Sequence, residues 1–280
     1  MQFALNYSPQ AAELLRQGRI AIDRFKCPPW PELVAAAQAL RPVSLHFELR
    51  AGAPEPEPVD WAAIESWAQQ TGTPTINLHL GARREDYPAI PHDSTDPAHR
   101  EQITAALVRD VQAAVDVFGA DRVIVENVPY HAEHGKILRT SVEADVIRQV
   151  VAETGCGLLL DISHGVISAR YTGQDERAYL AALPVHRLRE LHVTGIQHLN
   201  GRLTDHLGLG DTDWANFAWV LDQITSGHWA TPWQVVFEYG GIGPLFDWRS
   251  DPAVIGAQVP RLVAMVQAAT QRIEVATPGH

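Results

Sequence analysis

The stretch "CGLLLDISHGVIS" (Cys156–Ser168) decides how this chain is read. Leu158, Leu159 and Leu160 form an unbroken apolar run, the mark of a strand buried on both faces. Such strands belong to parallel sheets covered by helices. Yet this run ends in Asp161, with His164 three residues later. A carboxylate at the end of a core strand costs free energy unless something pairs with it. The candidate partners are an ion pair with Arg170 and a bound metal ion.

Working outward, seven further β-rich runs have the same character: 3–8, 20–27, 43–49, 75–80, 122–128, 188–195 and 233–240. Helical periodicity fills the gaps at 9–17, 31–40, 60–71, 98–118, 141–154, 175–183, 214–226 and 251–271. Gly18, Gly72, Gly119 and Gly155 fall where a left-handed helix end is wanted. Thr140 and Glu143 have the spacing of a capping box for the fifth helix. The longer connections, 81–97 and 129–140, follow strands, and the Pro-rich stretch 51–61 reads as another strand-to-helix loop. Eight strand–helix units with long loops after the strands predict an α/β (β/α)8 TIM barrel. A doubly wound sheet is the weaker alternative, because "LNYSPQ" after the first strand has no glycine fingerprint for a dinucleotide. No linker divides the chain, so residues 1–272 are expected to form a single domain and 273–280 a loose tail.

Composition narrows the partners. The 280 residues carry 33 acidic and 22 basic side chains, a net charge of −11, which disfavours nucleic acid and anionic membrane surfaces. No run of about 18 apolar residues predicts a membrane span. With two cysteines, Cys27 and Cys156, and no secretory signature at "MQFALNYSPQ", a reduced, cytoplasmic protein is expected.

A barrel of this kind carries its active site at the C-terminal strand ends. His46 and Glu48, His79, Glu126 and Asn127, Asp161 and then His164, His192, and Glu238 stand there, with Asp205 and His206 in the loop after the seventh strand. Any one strand-end histidine is usually a hydrogen-bonded structural residue. So many imidazoles and carboxylates at equivalent positions would shift one another's pKa unless cations neutralised them. His, Asp and Glu are ligands for divalent metals such as Zn, Mn or Fe. Glu48 and Asn127 read first as structural, with Asn127 kept as a substrate contact. Lys26, Arg83 and Arg84 lie near strand ends where a phosphate could be met, and His131 and His134 are candidate loop contacts. Specificity is assigned to loops 81–97, 129–140 and 165–176.

The "LDxxH" of Asp161–His164, Glu126 on the fifth strand, His192 on the seventh and Glu238 on the eighth resemble the xylose isomerase-like TIM barrels. That superfamily includes sugar and sugar-phosphate isomerases and epimerases, and endonuclease IV. The resemblance implies a metal held by Glu126, Asp161, His192 and Glu238, with Glu126 and Glu238 as the acid/base pair and His164 on the substrate. Its multinuclear members imply two more ions, one shared by His46, His79 and Glu126, the other held by His164 and a spaced "DxH" pair. This sequence has "TDH" (204–206) there and offers Asp205 or His206, with Thr204 in the Asp slot if His206 is the match. The cofactor is thus one to three divalent ions among Zn, Mn, Fe, Co and Mg. A second similarity runs through "ENVPYH" and "YLAALPVHRLRELHVTGIQHLNGRLTDHLGLGDTDW" and resembles the multinuclear non-haem iron enzymes of peptide natural-product maturation. Here Ile196 stands in place of the second histidine of that family's "HLAGH", and "ISH" replaces the doubled Asn after the sixth-strand Asp.

Two functions are therefore expected. The first is isomerisation or epimerisation of a small polar substrate, a sugar or sugar phosphate. The alternative is a multinuclear metal enzyme, either an iron-dependent peptide-modifying oxidase with a partner protein or an endonuclease IV-like phosphodiesterase. The resemblance covers nearly the whole chain in its order of elements.

Overall fold

The computed structural model describes residues 1–133, 135–243 and 249–276. In chain order the elements are β1 (Gln2–Asn6), α1 (Pro9–Arg16), β2 (Arg24–Cys27), α2 (Pro31–Gln38) and β3 (Val43–Leu45). Next come β4 (Leu49–Ala51), α3 (Trp61–Thr71), β5 (Ile76–Leu80), α4 (Pro97–Phe118), β6 (Val123–Asn127) and α5 (Ala144–Thr154). The Leu-rich run is β7 (Gly157–Asp161), followed by α6 (Ile162–Thr172) and α7 (Glu176–Ala182). The chain finishes with β8 (Leu188–Val193), β9 (Gly195–Leu199), β10 (Arg202–Leu207), α8 (Asp211–Thr225), β11 (Gln234–Phe237) and α9 (Pro252–Ala276).

Two compact units result, one built from Met1–Leu45 with Arg189–His280 and the other from His46–Leu188. In the first, the parallel strands run in the order β3, β2, β1, β11, β8. In the second, the parallel order is β4, β5, β6, β7. Parallel neighbours need helical crossovers, and the alternation of strands and helices supplies them. Leu158, Leu159 and Leu160 are fully buried, as a strand with both faces covered must be.

Seven of the eight expected helices start and end within three residues of their predicted bounds, and the last runs five residues further. Ser8, Asp60, Asp96 and Asp175 each accept a backbone N–H at a helix start. Gly72 and Gly155 end α3 and α5 in the left-handed conformation, but Gly119 closes α4 with φ 81 and ψ 148, a positive-φ form that lies outside the left-handed helical region and that glycine permits. The fifth helix differs in how it starts. Arg139–Val142 form a 3-10 turn and α5 begins at Ala144, so Thr140 and Glu143 make no capping box. The Thr140 hydroxyl instead donates to Ser94 O (3.3 Å), and Glu143 takes Arg139 (2.9 Å).

Residues 165–176, expected as a specificity loop, are largely the helix α6, since Asp161 caps a new helix at the strand's very end. Gly165 allows that helix to pack, because a Cβ there would lie 2.5 Å from Leu180 Cδ2 on α7. β9 and β10 are a further difference, an antiparallel ribbon inside what the sequence reads as one loop. Gly195 opens it, and a Cβ at that position would lie 2.0 Å from the backbone oxygen of Gly208. Backbone cannot swing aside as a flexible side chain can. Gly195→Ala is accordingly expected to destabilise the protein by about 1–3 kcal/mol, measured by urea unfolding.

The final helix continues to Ala276, past residue 272 where the sequence reading ended the domain, and residues 277–280 lie outside the described set. By length and composition α9 is apolar enough to cross a membrane. It nevertheless carries Pro260, and its buried residues Ile255, Val259, Leu262, Val266 and Ala269 recur at the three- to four-residue spacing of a packing face.

Candidate metal centre

In the unit formed by His46–Leu188, Glu126 ends β6 and is 1% exposed. Its Oε2 lies 3.3 Å from His79 Nε2 and 3.7 Å from His46 Nε2, and its Oε1 lies 3.5 Å from His164 Nδ1. The two Nε2 atoms of His46 and His79 are 3.1 Å apart. Parallel register sets His79 on β5 directly beside Glu126 on β6. His46, His79 and Glu126, distant in sequence, thus converge through one donor atom each.

Asp161 answers part of the question raised by the Leu-rich strand. Its Oδ1 accepts the N–H of His164 (2.8 Å) and so caps α6. Its Oδ2 lies 3.8 Å from His164 Nε2. Arg170 pairs instead with Glu176 (2.7 Å). Asn127 is committed structurally: its amide donates to Asp161 O and accepts from Asp161 N, both at 2.9 Å, joining β6 to β7. Arg83 lies 3.5 Å from Glu85 and bridges to Ile137 through the backbone. His131 sits with its ring 5.2 Å from that of Tyr171, whereas His134 lies outside the described residues.

The other unit holds a second cluster. His192 on β8 is fully buried, with Nδ1 3.0 Å from Glu238 Oε1 and Nε2 2.8 Å from Glu190 Oε1. Lys26, 3% exposed on β2, pairs with the same Glu190 oxygen. Lys26 therefore faces a buried carboxylate and not an open phosphate site, since an ammonium at that depth requires a counter-charge. Burial alone would raise the Glu190 pKa, but the Lys26 charge and the His192 hydrogen bond hold it at about 2. Burial would likewise lower His192, but Glu238 and Glu190 push it up to about 10. Glu190 escaped the sequence reading. The signal was there in "RELHV", because residues two apart on a strand share a face.

Asp205 and His206 lie on β10, where the pairing with β9 shifts register between Thr204 and Leu207. His206 takes a left-handed φ of 57 in this bulge. The irregularity re-aims a side chain that regular pleating would alternate. His206 Nδ1 donates to Glu238 O (3.0 Å), and Asp205 O accepts from Arg249 (3.2 Å).

The histidine tautomers follow from these contacts. His79 Nδ1 donates to Leu49 O (3.1 Å), His164 Nδ1 to Asn127 O (2.8 Å) and His206 Nδ1 to Glu238 O. In each case the ring's other nitrogen is Nε2. Metal-binding histidines characteristically tie the second nitrogen to a carbonyl or carboxylate in this way.

The cysteines take no part. Both are buried, and desolvation pushes the Cys27 thiol up to about 12 and raises that of Cys156. The native protein is expected to show no thiol reactive with Ellman's reagent at pH 8, and both thiols after unfolding in guanidinium.

Comparison with known proteins places this geometry in context. A D-psicose 3-epimerase from Clostridium cellulolyticum is 14% identical with a TM-score of 0.54, covering 98% of this chain and 99% of that one. The 3-keto-D-glucoside 4-epimerase of Escherichia coli is 15% identical, with a TM-score of 0.54 over 95% and 99%. A protein described as a xylose isomerase-like TIM barrel/4-hydroxyphenylpyruvate dioxygenase fusion is 13% identical, with a TM-score of 0.57 over 100% of this chain and 45% of that one. The fold is the xylose isomerase-like TIM barrel, and identities this low speak for the fold alone.

In sequence, the chain is similar to UPF0276 proteins. That of Anaeromyxobacter sp. is 28% identical over 64% of this chain and 58% of the relative. That of Pseudomonas aeruginosa is 34% identical over 48% and 45%, and that of Caulobacter vibrioides 31% over 59% and 59%. The chain thus spans about half the length of the curated relatives it matches. The model of the RiPP precursor modification enzymes MbnB/TglH/ChrH matches residues 29–213, a span that includes His46, His79, Glu126, Asp161, His164, His192, Asp205 and His206. The chain belongs to the MbnB/TglH/ChrH family.

Proposed function

We propose that this protein is a metal-dependent enzyme that modifies a ribosomally made precursor peptide, the second of the two functions expected from the sequence. The family match supports this choice over sugar epimerisation, because the epimerase likeness is one of fold. The observation that carries the metal reading is the convergence of His46 Nε2, His79 Nε2 and Glu126 Oε2, with separations of 3.1, 3.3 and 3.7 Å. Donor atoms about 2.0–2.1 Å from a tetrahedral metal stand roughly 3.3–3.4 Å apart, so the spacing fits. The nitrogen and carboxylate donors also suit iron, manganese or zinc.

In this reading His46, His79 and Glu126 hold one ion. Glu126, Asp161, His192 and Glu238 are the ligand set the family resemblance implies for another, and His164, Asp205 and His206 for a third. Bound metal would supply Lewis acidity and, with iron, redox chemistry. Asp161 holds α6 in place while offering its second oxygen. Glu126 and Glu238 accept or return protons at their carboxylates, and His164, with Nδ1 tied to Asn127 O, would hold the third ion through Nε2. A partner protein that delivers the peptide belongs to the same reading.

Metal analysis of protein purified without oxygen tests it. Two or three iron ions per chain are expected. A single Mn, Co or Mg ion together with turnover of a ketohexose would move the assignment to the sugar epimerases. Three zinc ions with cleavage of abasic DNA would move it to the phosphodiesterases.

A further inference from the structure

Four of the candidate ligand histidines have one ring nitrogen tied, but not in the same way. His79, His164 and His206 are tied at Nδ1 by backbone carbonyls. His192 is tied at Nε2, and by a side chain, Glu190. The orientation of the first three is thus written into the backbone, whereas that of His192 depends on a replaceable residue. Glu190 is itself fully buried and paired with Lys26. Its place in the fold is determined twice over: it shares a strand face with His192, and it sits beside Gln234 in the β8–β11 register.

We infer that Glu190, anchored by Lys26, is a positioning residue that keeps a proton on His192 Nε2 and turns Nδ1 toward Glu238 as the metal-ligating nitrogen. This rests on the metal reading above and adds what that reading lacks, the reason why His192 offers the opposite nitrogen from the other three histidines. The pair also explains a lysine buried with no substrate to meet. An acidic acceptor beside a ligand histidine is useful only if its own charge is balanced, and Lys26 balances it.

Two double variants separate positioning from charge. Lys26→Met with Glu190→Gln removes both charges but leaves an amide oxygen to accept the Nε2 proton. Lys26→Met with Glu190→Leu removes the acceptor as well. Zinc affinity, measured against a chelating dye, is expected to stay close to the unmodified protein's in the first and to fall about 10- to 100-fold in the second. In protein labelled with 15N-histidine, a slowly exchanging Nε2–H resonance of His192 is expected before and after zinc addition. It should persist in the Gln variant and vanish in the Leu variant. Circular dichroism is expected to be the same for all three proteins. A Leu variant that keeps both the resonance and full zinc affinity overturns the positioning role alone. An unmodified protein that takes up no zinc overturns the metal reading, and this role with it.

Discussion

Replacing Glu126 by Ala is expected to abolish metal binding at the site it shares with His46 and His79, a loss on the order of 100-fold or more in affinity, beyond the roughly 10- to 100-fold effect of an outer partner. The carboxylate is buried, and imidazoles approach it at 3.3, 3.5 and 3.7 Å. Without it, His46 and His79 keep their nitrogens close together but lose the anionic donor that completes the group. Stability should change little, because the substitution also removes a buried charge. Elemental analysis and zinc titration read the first effect, and thermal unfolding reads the second. Full metal occupancy in the Ala variant would show that this cluster does not hold the ion. Asp161 needs a gentler substitution. Ala there would also remove the cap of α6, at about 0.5–2 kcal/mol, whereas Asn keeps the cap and weakens the ligand.

Lys26→Met, made alone, is expected to cost about 3–5 kcal/mol, because it leaves a buried carboxylate without its principal counter-charge. Glu190 is held at about 2, below the ordinary carboxylate value near 4.3. A depressed pKa stabilises the fold fully above the ordinary value, and that contribution is lost as pH falls from there through about 2. In the Met variant the Glu190 pKa rises, so protonation relieves the strain at milder acidity. The deficit relative to the unmodified protein should therefore be largest at pH 7 and shrink toward pH 3. Urea unfolding at the two pH values checks both size and sign. A deficit under 1 kcal/mol at pH 7 would mean that the pair is not the buried contact described. The double change with Glu190→Leu should be far milder than Lys26→Met alone, since apolar replacement of a whole buried ion pair is often close to neutral.

Much of the candidate centre could be read from residue types alone. Leu158–Leu160 ending in Asp161 announced a buried parallel strand with a charge at its mouth, and the other strand ends repeated the pattern. That legibility has a simple cause: a charged residue closing an apolar run is expensive, and such exceptions stand out. Lys26 shows what the sequence could not reveal. A lysine near a strand end looks open to solvent, and its burial against Glu190 depends on two strands separated by more than 160 residues. For Asn127 the sequence left a structural role and a substrate contact open, and only the fold shows its two bonds to Asp161.

The ribbon β9–β10 and the helix α6 were missed for a different reason. Both begin where a strand pattern has just ended, and their signals are a lone glycine at 195 and a side-chain cap at Asp161. Neither carries the long periodicity that makes a helix or strand visible in a sequence. The adjacency of Asp205 and His206 likewise acquires meaning only through the bulge that gives His206 its left-handed backbone.

By itself, then, the sequence determined the rhythm of strands and helices, the barrel class and a set of candidate donors, because burial pattern and residue chemistry are local properties. Tertiary structure alone decided which nitrogen of His79, His164, His192 and His206 is tied, that Lys26 pairs with Glu190, and that Asp161 both ends a strand and begins a helix. Those outcomes depend on hydrogen bonds between residues far apart in the chain, which form only once the strands are in register.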